Sequence, residues 1–328
     1  MATLIAWINL TISFGTIIMF GSLGEIITEK AGHLNLGVPG IMYIGAFAGF
    51  VSAFYYGNYA KNPNAAVCII ITLLSAFLAS ALCGLLYSFL TVTLRANQNV
   101  TGLAITIFGT GFANVFGSFL MKDQVYAAAL YGNEVFAKKI FSFVPGKIGE
   151  IFFSYGFMVY LAPILAVIVH FVINKTKVGL NLRATGENPG TADAAGINVI
   201  RYKYIATCIG AGISGLGGLF YSVDYNHGIW STTSAIESLG WLAVALVIFT
   251  TWKPLNSIWG SYLFGLFYWL YQFLPGILGI TLPNYTVKLL EMVPYVITII
   301  VLLFVSFRKK RENQPPASLG IAYFREER

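Results

Sequence analysis

The chain has 328 residues, of which 57% are hydrophobic and only 10% charged, with a formal net charge of +7; its mean hydropathy is +0.74. A water-soluble domain carries about 25% charged residues, so this chain cannot cover a water-facing surface, and lipid must be the solvent of most of it. Composition thereby overrides the one or two soluble domains that length alone suggests.

Met1–Gly24 is the first long uncharged run. No basic residue precedes it and no small-residue cleavage site follows a short apolar core, so it reads as a retained span. Leu34–Ala60, Ala65–Leu94 and Gly102–Met121 come next, then Ile151–Asn174, Tyr204–Val223, Ser238–Trp252, Pro254–Val287 and a last stretch from Pro294 to Phe307. About 20 apolar residues cross a bilayer as a helix, and only helices or closed barrels satisfy the backbone there. Runs of this length without strict alternation are helical, not barrel strands. The expected fold is an all-α integral membrane protein, a polytopic bundle of about 9 (8–10) transmembrane helices. Residues 1–307 form its transmembrane domain and 308–328 a basic cytoplasmic tail. Ala65–Leu94 and Pro254–Val287 exceed what one upright helix needs, so a tilt, a break or a re-entrant segment could absorb the excess.

Charge sets the expected orientation. With the Arg308-Lys309-Lys310-Arg311 cluster inside, nine crossings put the loop 175–203 inside and the loop 122–150 outside, with Arg95 and Lys253 also facing the cytoplasm. The outer loop carries Lys122, Lys138, Lys139 and Lys147, partly offset by Asp123, Glu134 and Glu150. Gly210, Ser214 and Gly218 recur every four positions, so one face of that span is nearly bare backbone, suited to close helix approach in lipid. Gly210–Gly215 also spells G-x-G-x-x-G, but inside a span and without a βαβ unit it is no dinucleotide site. Cys68, Cys83 and Cys208 sit in apolar runs and read as small buried hydrophobes. His33, His170 and His227 lack metal-ligand spacing. No cofactor is expected.

The inner loop 175–203 is the richest segment. Asn188 is a good helix N-cap, Pro189 suits the first helical position, Thr191–Ala195 can make one or two turns, and Gly196 can close them in the left-handed region. Such a short helix of small residues can enter a cleft on a cytoplasmic partner, or it can be an ordinary capped loop helix; the residues alone leave both open.

The run Arg183-Ala-Thr-Gly-Glu-Asn-Pro-Gly-Thr-Ala-Asp-Ala-Ala-Gly-Ile-Asn198 resembles the coupling loop of the sugar, nucleoside and branched-chain amino-acid class of ABC import permeases. Gly24-Glu-Ile-Ile-Thr-Glu-Lys-Ala-Gly-His-Leu-Asn-Leu-Gly-Val-Pro-Gly40 looks like the signature after the first span in its nucleoside and simple-sugar branch, with Pro39 where an acidic residue is more usual. Glu237 to Trp241, then Trp252-Lys-Pro254, and the tail Pro316-Ala-Ser-Leu-Gly-Ile-Ala-Tyr323 are similar to the same branch. The resemblance implies a multi-pass permease of the inner (cytoplasmic) membrane. Its partners would be a second, identical or homologous permease chain, paired cytoplasmic ATPase subunits, an external substrate-binding protein and membrane lipid, with no nucleic acid. The chain has no G-x-x-x-x-G-K-[ST] phosphate loop, as expected when ATP hydrolysis belongs to a partner. The ATPase-coupling residues would be Gly186, Glu187, Asn188, Pro189, Ala192, Asp193, Ala194, Ala195 and Gly196. The implied solute is a nucleoside or its base, with a simple sugar second and a larger heterocycle such as a flavin also open. The outer-loop lysines either meet acidic patches on the binding protein or are simply solvated.

Candidates for the substrate path are Asn35, Asn97, Gln98, Asn99, Thr101, Thr106, Thr110 and Asn114, because a polar side chain at membrane depth must face protein or a water-filled cavity. Their neutrality suits an uncharged solute; equally, they could form a turn or bond a neighbouring helix. A carboxylate at mid-bilayer costs about 2.5 to 3.5 kcal/mol. Glu25, Glu29, Asp224, Glu237 and Glu291 all fall near span ends, so no buried ion relay is expected and the rival reading, an ion-coupled carrier, finds no support.

Overall fold

A computed structural model describes residues 2–122, 129–140, 146–230, 234–279, 283–308 and 313–324. In chain order the helices are α1 (Ala2–Lys30), α2 (Val38–Tyr59), α3 (Ala65–Ser88), α4 (Gln98–Lys122), α5 (Leu130–Phe136), α6 (Lys147–Phe152), α7 (Phe157–Lys175) and α8 (Lys177–Glu187). There follow α9 (Pro189–Ala194), α10 (Val199–Phe220), α11 (Ala235–Phe249), α12 (Pro254–Tyr268), α13 (Leu270–Leu278), α14 (Asn284–Glu291) and α15 (Val293–Arg308). Short π-helical turns extend α3 through Phe89–Thr93 and α10 through Tyr221–Tyr225.

The all-helical membrane fold holds. Among the described residues seven helices are long and apolar enough to cross a membrane. Ala65–Thr93 is one continuous helix of 29 residues, about 43 Å at 1.5 Å per residue. That exceeds the hydrocarbon thickness of roughly 30 Å, and the helix carries the excess without a break. The run Pro254–Val287 does break. Left-handed Gly279 (φ 67°) ends α13, and the last expected span joins α14 in the stretch Asn284–Val301. α11 and α12 are only 15 residues each, about 22 Å. Thr251 and Trp252, both at φ 54°, stop α11 short.

α10 is the hub. It packs on α1, α2 and α3, while α7, α11 and α12 close around the other side of α1. Its small-residue face is used as its spacing suggested. A Cβ at Gly210 would lie 2.4 Å from the Gly24 carbonyl oxygen and one at Gly218 only 1.8 Å from that of Met42. Ser214 Oγ donates to the Gly21 carbonyl at 3.1 Å. Backbone contact this close replaces the hydrophobic drive that lipid cannot supply. Large apolar side chains such as Leu74, Leu78 and Leu82 on α3 and Ile164, Ile168 and Phe171 on α7 are exposed on the outer surface of the bundle.

The two connecting loops occupy opposite ends of the bundle. From the 122–150 segment, Tyr131 OH donates to the Pro63 carbonyl (2.9 Å) and Asn133 Nδ2 to that of Val223 (2.9 Å). The 175–203 segment sits at the other end, against the last turn of α1. Asp123, the side chain of Lys122, and the side chains of the basic cluster 308–311 lie outside the described residues.

Candidate functional site

Three caps in succession build the 175–203 segment. Thr176 Oγ1 accepts from the Gly179 N–H (3.1 Å) and starts α8; Asn188 Oδ1 accepts from Thr191 N–H (3.0 Å) and starts α9; Asn198 Oδ1 accepts from Arg201 N–H (2.9 Å) and starts α10. Pro189 takes the first position of α9, which begins two residues earlier than Thr191. Gly196 (φ 82°) ends the turn, and Ile197 N–H returns to the Ala192 carbonyl at 3.0 Å. This satisfies the end groups of a helix too short to be stable alone.

The nine residues named for ATPase coupling divide by direction. Glu187, Asn188, Ala194, Ala195 and Gly196 are exposed, Pro189 and Asp193 half-buried, and Ala192 and Gly186 buried. Gly186 is where the segment is seated. A Cβ there would lie 2.3 Å from the Lys30 carbonyl oxygen, so only glycine lets the end of α8 rest on the end of α1.

Behind that seat lies a buried polar cluster that sequence reasoning did not foresee. Glu25 and Glu29, one turn apart at the end of α1, are 1% and 2% exposed. Glu25 Oε1 accepts from the Asn35 N–H at 3.1 Å, and Glu29 Oε2 accepts from the Trp252 indole N–H. His33 Nδ1 lies 2.9 Å from Thr207 Oγ1, and Tyr87 OH donates to the Leu34 carbonyl at 2.7 Å. Burial, with the Lys203 charge adding to it, holds the His33 imidazole well below its ordinary range, so it is neutral at pH 7. The i, i+4 spacing of the two glutamates placed them on one face. Nothing local indicated that Trp252 would meet them.

The polar residues named for the substrate path lie in the 33–37 turn and along α4 from its N-cap onward. Asn35 Oδ1 accepts from Gly37 N–H (2.9 Å), Gln98 Oε1 from Leu34 N–H (2.8 Å), and Thr106 Oγ1 donates to the Leu36 carbonyl (2.8 Å). All three brace the 33–37 turn between α1 and α2, and Thr101 is buried. Asn97 caps α4 through the Val100 N–H (3.1 Å), and Thr110 bonds the Thr106 carbonyl (2.9 Å). Asn99 is exposed. Asn114, two turns beyond Thr106, accepts from Tyr43 OH at 3.1 Å. Among the described residues no group of His, Cys, Asp or Glu is arranged to hold a metal ion.

The family model described as "Branched-chain amino acid transport system / permease component" matches residues 8–302. The nucleoside ABC transporter permease protein NupC of Lactococcus lactis is 33% identical over 88% of this chain and 88% of its own length. The guanosine ABC transporter permease protein NupQ of Bacillus subtilis is 31% identical over 97% and 96%. A protein of Haloferax volcanii, provisionally named a glucose ABC transporter permease, is 32% identical over 79% and 74%. No solved structure matches the chain. With seven membrane-length helices among the described residues, a capped loop helix seated on the end of α1 and a family match over nearly its whole length, the chain belongs to the branched-chain amino acid transport system permease family, as a multi-pass permease of the cell membrane.

Proposed function

We propose that this permease is one membrane subunit of an ATP-driven importer for a nucleoside, and that α9 receives the push of a cytoplasmic ATPase. The observation that carries the reading is α9 itself. It is capped at both ends, presents Ala194, Ala195 and Gly196 outward, and joins two spans, α7 and α10, through rigid turns. A helix with no bulk on its outer face fits a groove on a partner, and its caps let it move as a unit. ATP-driven closure of the partner would move α9 and rock the spans between outward- and inward-open states. Relatives named for nucleoside and guanosine transport support the solute class. The relative named for glucose keeps a simple sugar as the second reading.

The bundle is consistent with nine crossings in this reading, α11 and α12 being short ones. The turn between them bonds Glu29 at one end of α1 through Trp252, while Trp7 Nε1 near the other end donates to Leu266 O at 3.2 Å. α12 thus runs along about half the length of α1. Crossings by α1, α2, α3, α4, α7, α10, α11, α12 and α15 put α9 and the 308–328 tail on the cytoplasmic side and 122–150 outside. Residues 1–307 are then the membrane domain, and an external binding protein and a second permease complete the importer. Within the path we place Asn99 and Asn114 of α4, and assign Asn35, Gln98 and Thr106 to sealing its inner end.

The test is Ala194→Arg, which places a large charged side chain on the outward face of α9. Pull-down of the permease from native membranes should recover an ATPase subunit, and the variant should insert normally yet lose both that partner and solute uptake. Uptake at the normal rate in the variant removes the coupling role.

A further inference from the structure

Residues 313–324 lie across the same end of the bundle as α9 and bind it to helices far away in the chain. Lys253 Nζ, at the α11–α12 turn, donates to Asn313 Oδ1 at 2.7 Å. Ser318 N–H donates to the Gly186 carbonyl at 3.0 Å, at the seat of the loop. Gln98 Nε2, at the start of α4, donates to the Ile321 carbonyl at 3.4 Å. Tyr323 OH donates to Asp193 Oδ2 on α9 at 2.9 Å, and the Arg95 guanidinium lies 4.7 Å above the Phe324 ring. Tyr323, Asp193 and residues 196–200 wall a cleft of about 260 Å³ beside α9.

A helix of six residues makes fewer than two turns, so its direction is set by what holds it and not by its own length. Its covalent neighbours lead only to α7 and α10. The segment 313–324 adds a second route, from Asp193 through Tyr323 to α4 and the end of α3, and through Asn313 to α11 and α12. We propose that this segment is a strap that fixes the direction of α9 and spreads a push on α9 across the bundle, with Tyr323 as the positioning residue acting through Asp193. The proposal rests on the coupling role of α9, and it adds the tail to the machinery that role requires.

The experiment is solute moved per ATP hydrolysed by the complete importer in proteoliposomes, comparing wild type with Y323F, D193N, the double variant and A194R. Y323F removes one hydroxyl. The strap predicts a ratio lowered about fivefold, in line with loss of a part-exposed hydrogen bond to a charged acceptor. D193N, which keeps a neutral acceptor, should fall between, and the double variant should be no worse than Y323F. A tail that merely stabilises the fold would reduce the amount of assembled importer and leave the ratio per complex unchanged. Wild-type ratios in both Y323F and D193N, with A194R inactive, overturn the strap alone. Wild-type behaviour in A194R as well removes the coupling role beneath it.

Discussion

The indole N–H of Trp252 donates to the carboxylate of Glu29 across 223 positions of sequence, tying the turn between α11 and α12 to the last turn of α1. Both residues are buried, Trp252 at 7% exposure and Glu29 at 2%. A buried carboxylate stripped of its donor bears the full desolvation penalty, about 1–3 kcal/mol or more for a charged acceptor. Trp252→Phe keeps the ring and removes the donor, so it should lower thermal stability in detergent by that order. Glu29→Gln combined with it should recover part of the loss, since a neutral amide needs less from its surroundings. If the double variant melts below both singles, the pair is not coupled.

Helix contact through backbone makes a second expectation. A Cβ at Gly24 would lie 2.1 Å from the Gly210 carbonyl oxygen, where backbone cannot give way cheaply. Gly24→Ala should therefore separate α1 from α10 and cost about 1–3 kcal/mol, as overpacked cores do. At Gly111 on α4 nothing lies within 4 Å of a built Cβ. Gly111→Ala should be neutral or slightly stabilising, since alanine is the better helix former. Equal yields of folded protein from the two variants would mean that the α1–α10 approach is looser than described.

These two sites mark how far sequence could reach. The every-four spacing of Gly210, Ser214 and Gly218 identified the packing face of α10 because small residues in lipid have one main structural use. The caps of α9 were equally legible, since capping chemistry is local: Asn188, Pro189 and Gly196 each act within three residues. The length of α11 was not legible. The run Ser238–Trp252 is apolar to its end, and only the left-handed turn at Thr251 and Trp252 shortens the helix. The partner of Glu29 was hidden for a different reason. A carboxylate near a span end reads as water-facing until the tertiary fold brings a donor over it. Polarity singled out Asn35, Gln98 and Thr106, but not that they would bond the 33–37 turn, which only the tertiary fold brings to them.

At the seat of the 175–203 loop, two glycines four residues apart are unlike in consequence. A Cβ at Gly186 would meet the Lys30 carbonyl oxygen at 2.3 Å, whereas one at Gly190 would rest 3.5 Å from Asn188 Oδ1, an ordinary contact. Gly186→Ala should lift α8 off the end of α1, displace α9 and reduce uptake by about tenfold or more, given that a shift of one ångström in a positioned group carries a large penalty. Gly190→Ala should transport normally. Uptake assays normalised to permease in the membrane decide it, and a normal G186A would detach the seat from transport.

Acid sensitivity should trace to His33. In the folded chain its imidazole sits against Thr207 Oγ1, edge-on to the Tyr87 ring at 5.9 Å, and within reach of the Lys203 charge. Burial first, and that charge second, depress its proton affinity below the unfolded value, which lies near 6.5. Above about pH 6.5 both states are neutral at this site and stability is independent of pH through it. Below that, the unfolded chain takes a proton that the folded chain refuses, so stability falls by up to about 1.4 kcal/mol per pH unit until the folded imidazole is protonated too. Glu25 and Glu29 lie nearby, so the wild-type slope alone does not identify the group. His33→Asn keeps a hydrogen-bonding partner for Thr207 and removes the titration. Melting curves in detergent at pH 7.5 and pH 5.0 should then differ less in the variant than in the wild type. Identical shifts would leave His33 silent in the acid response.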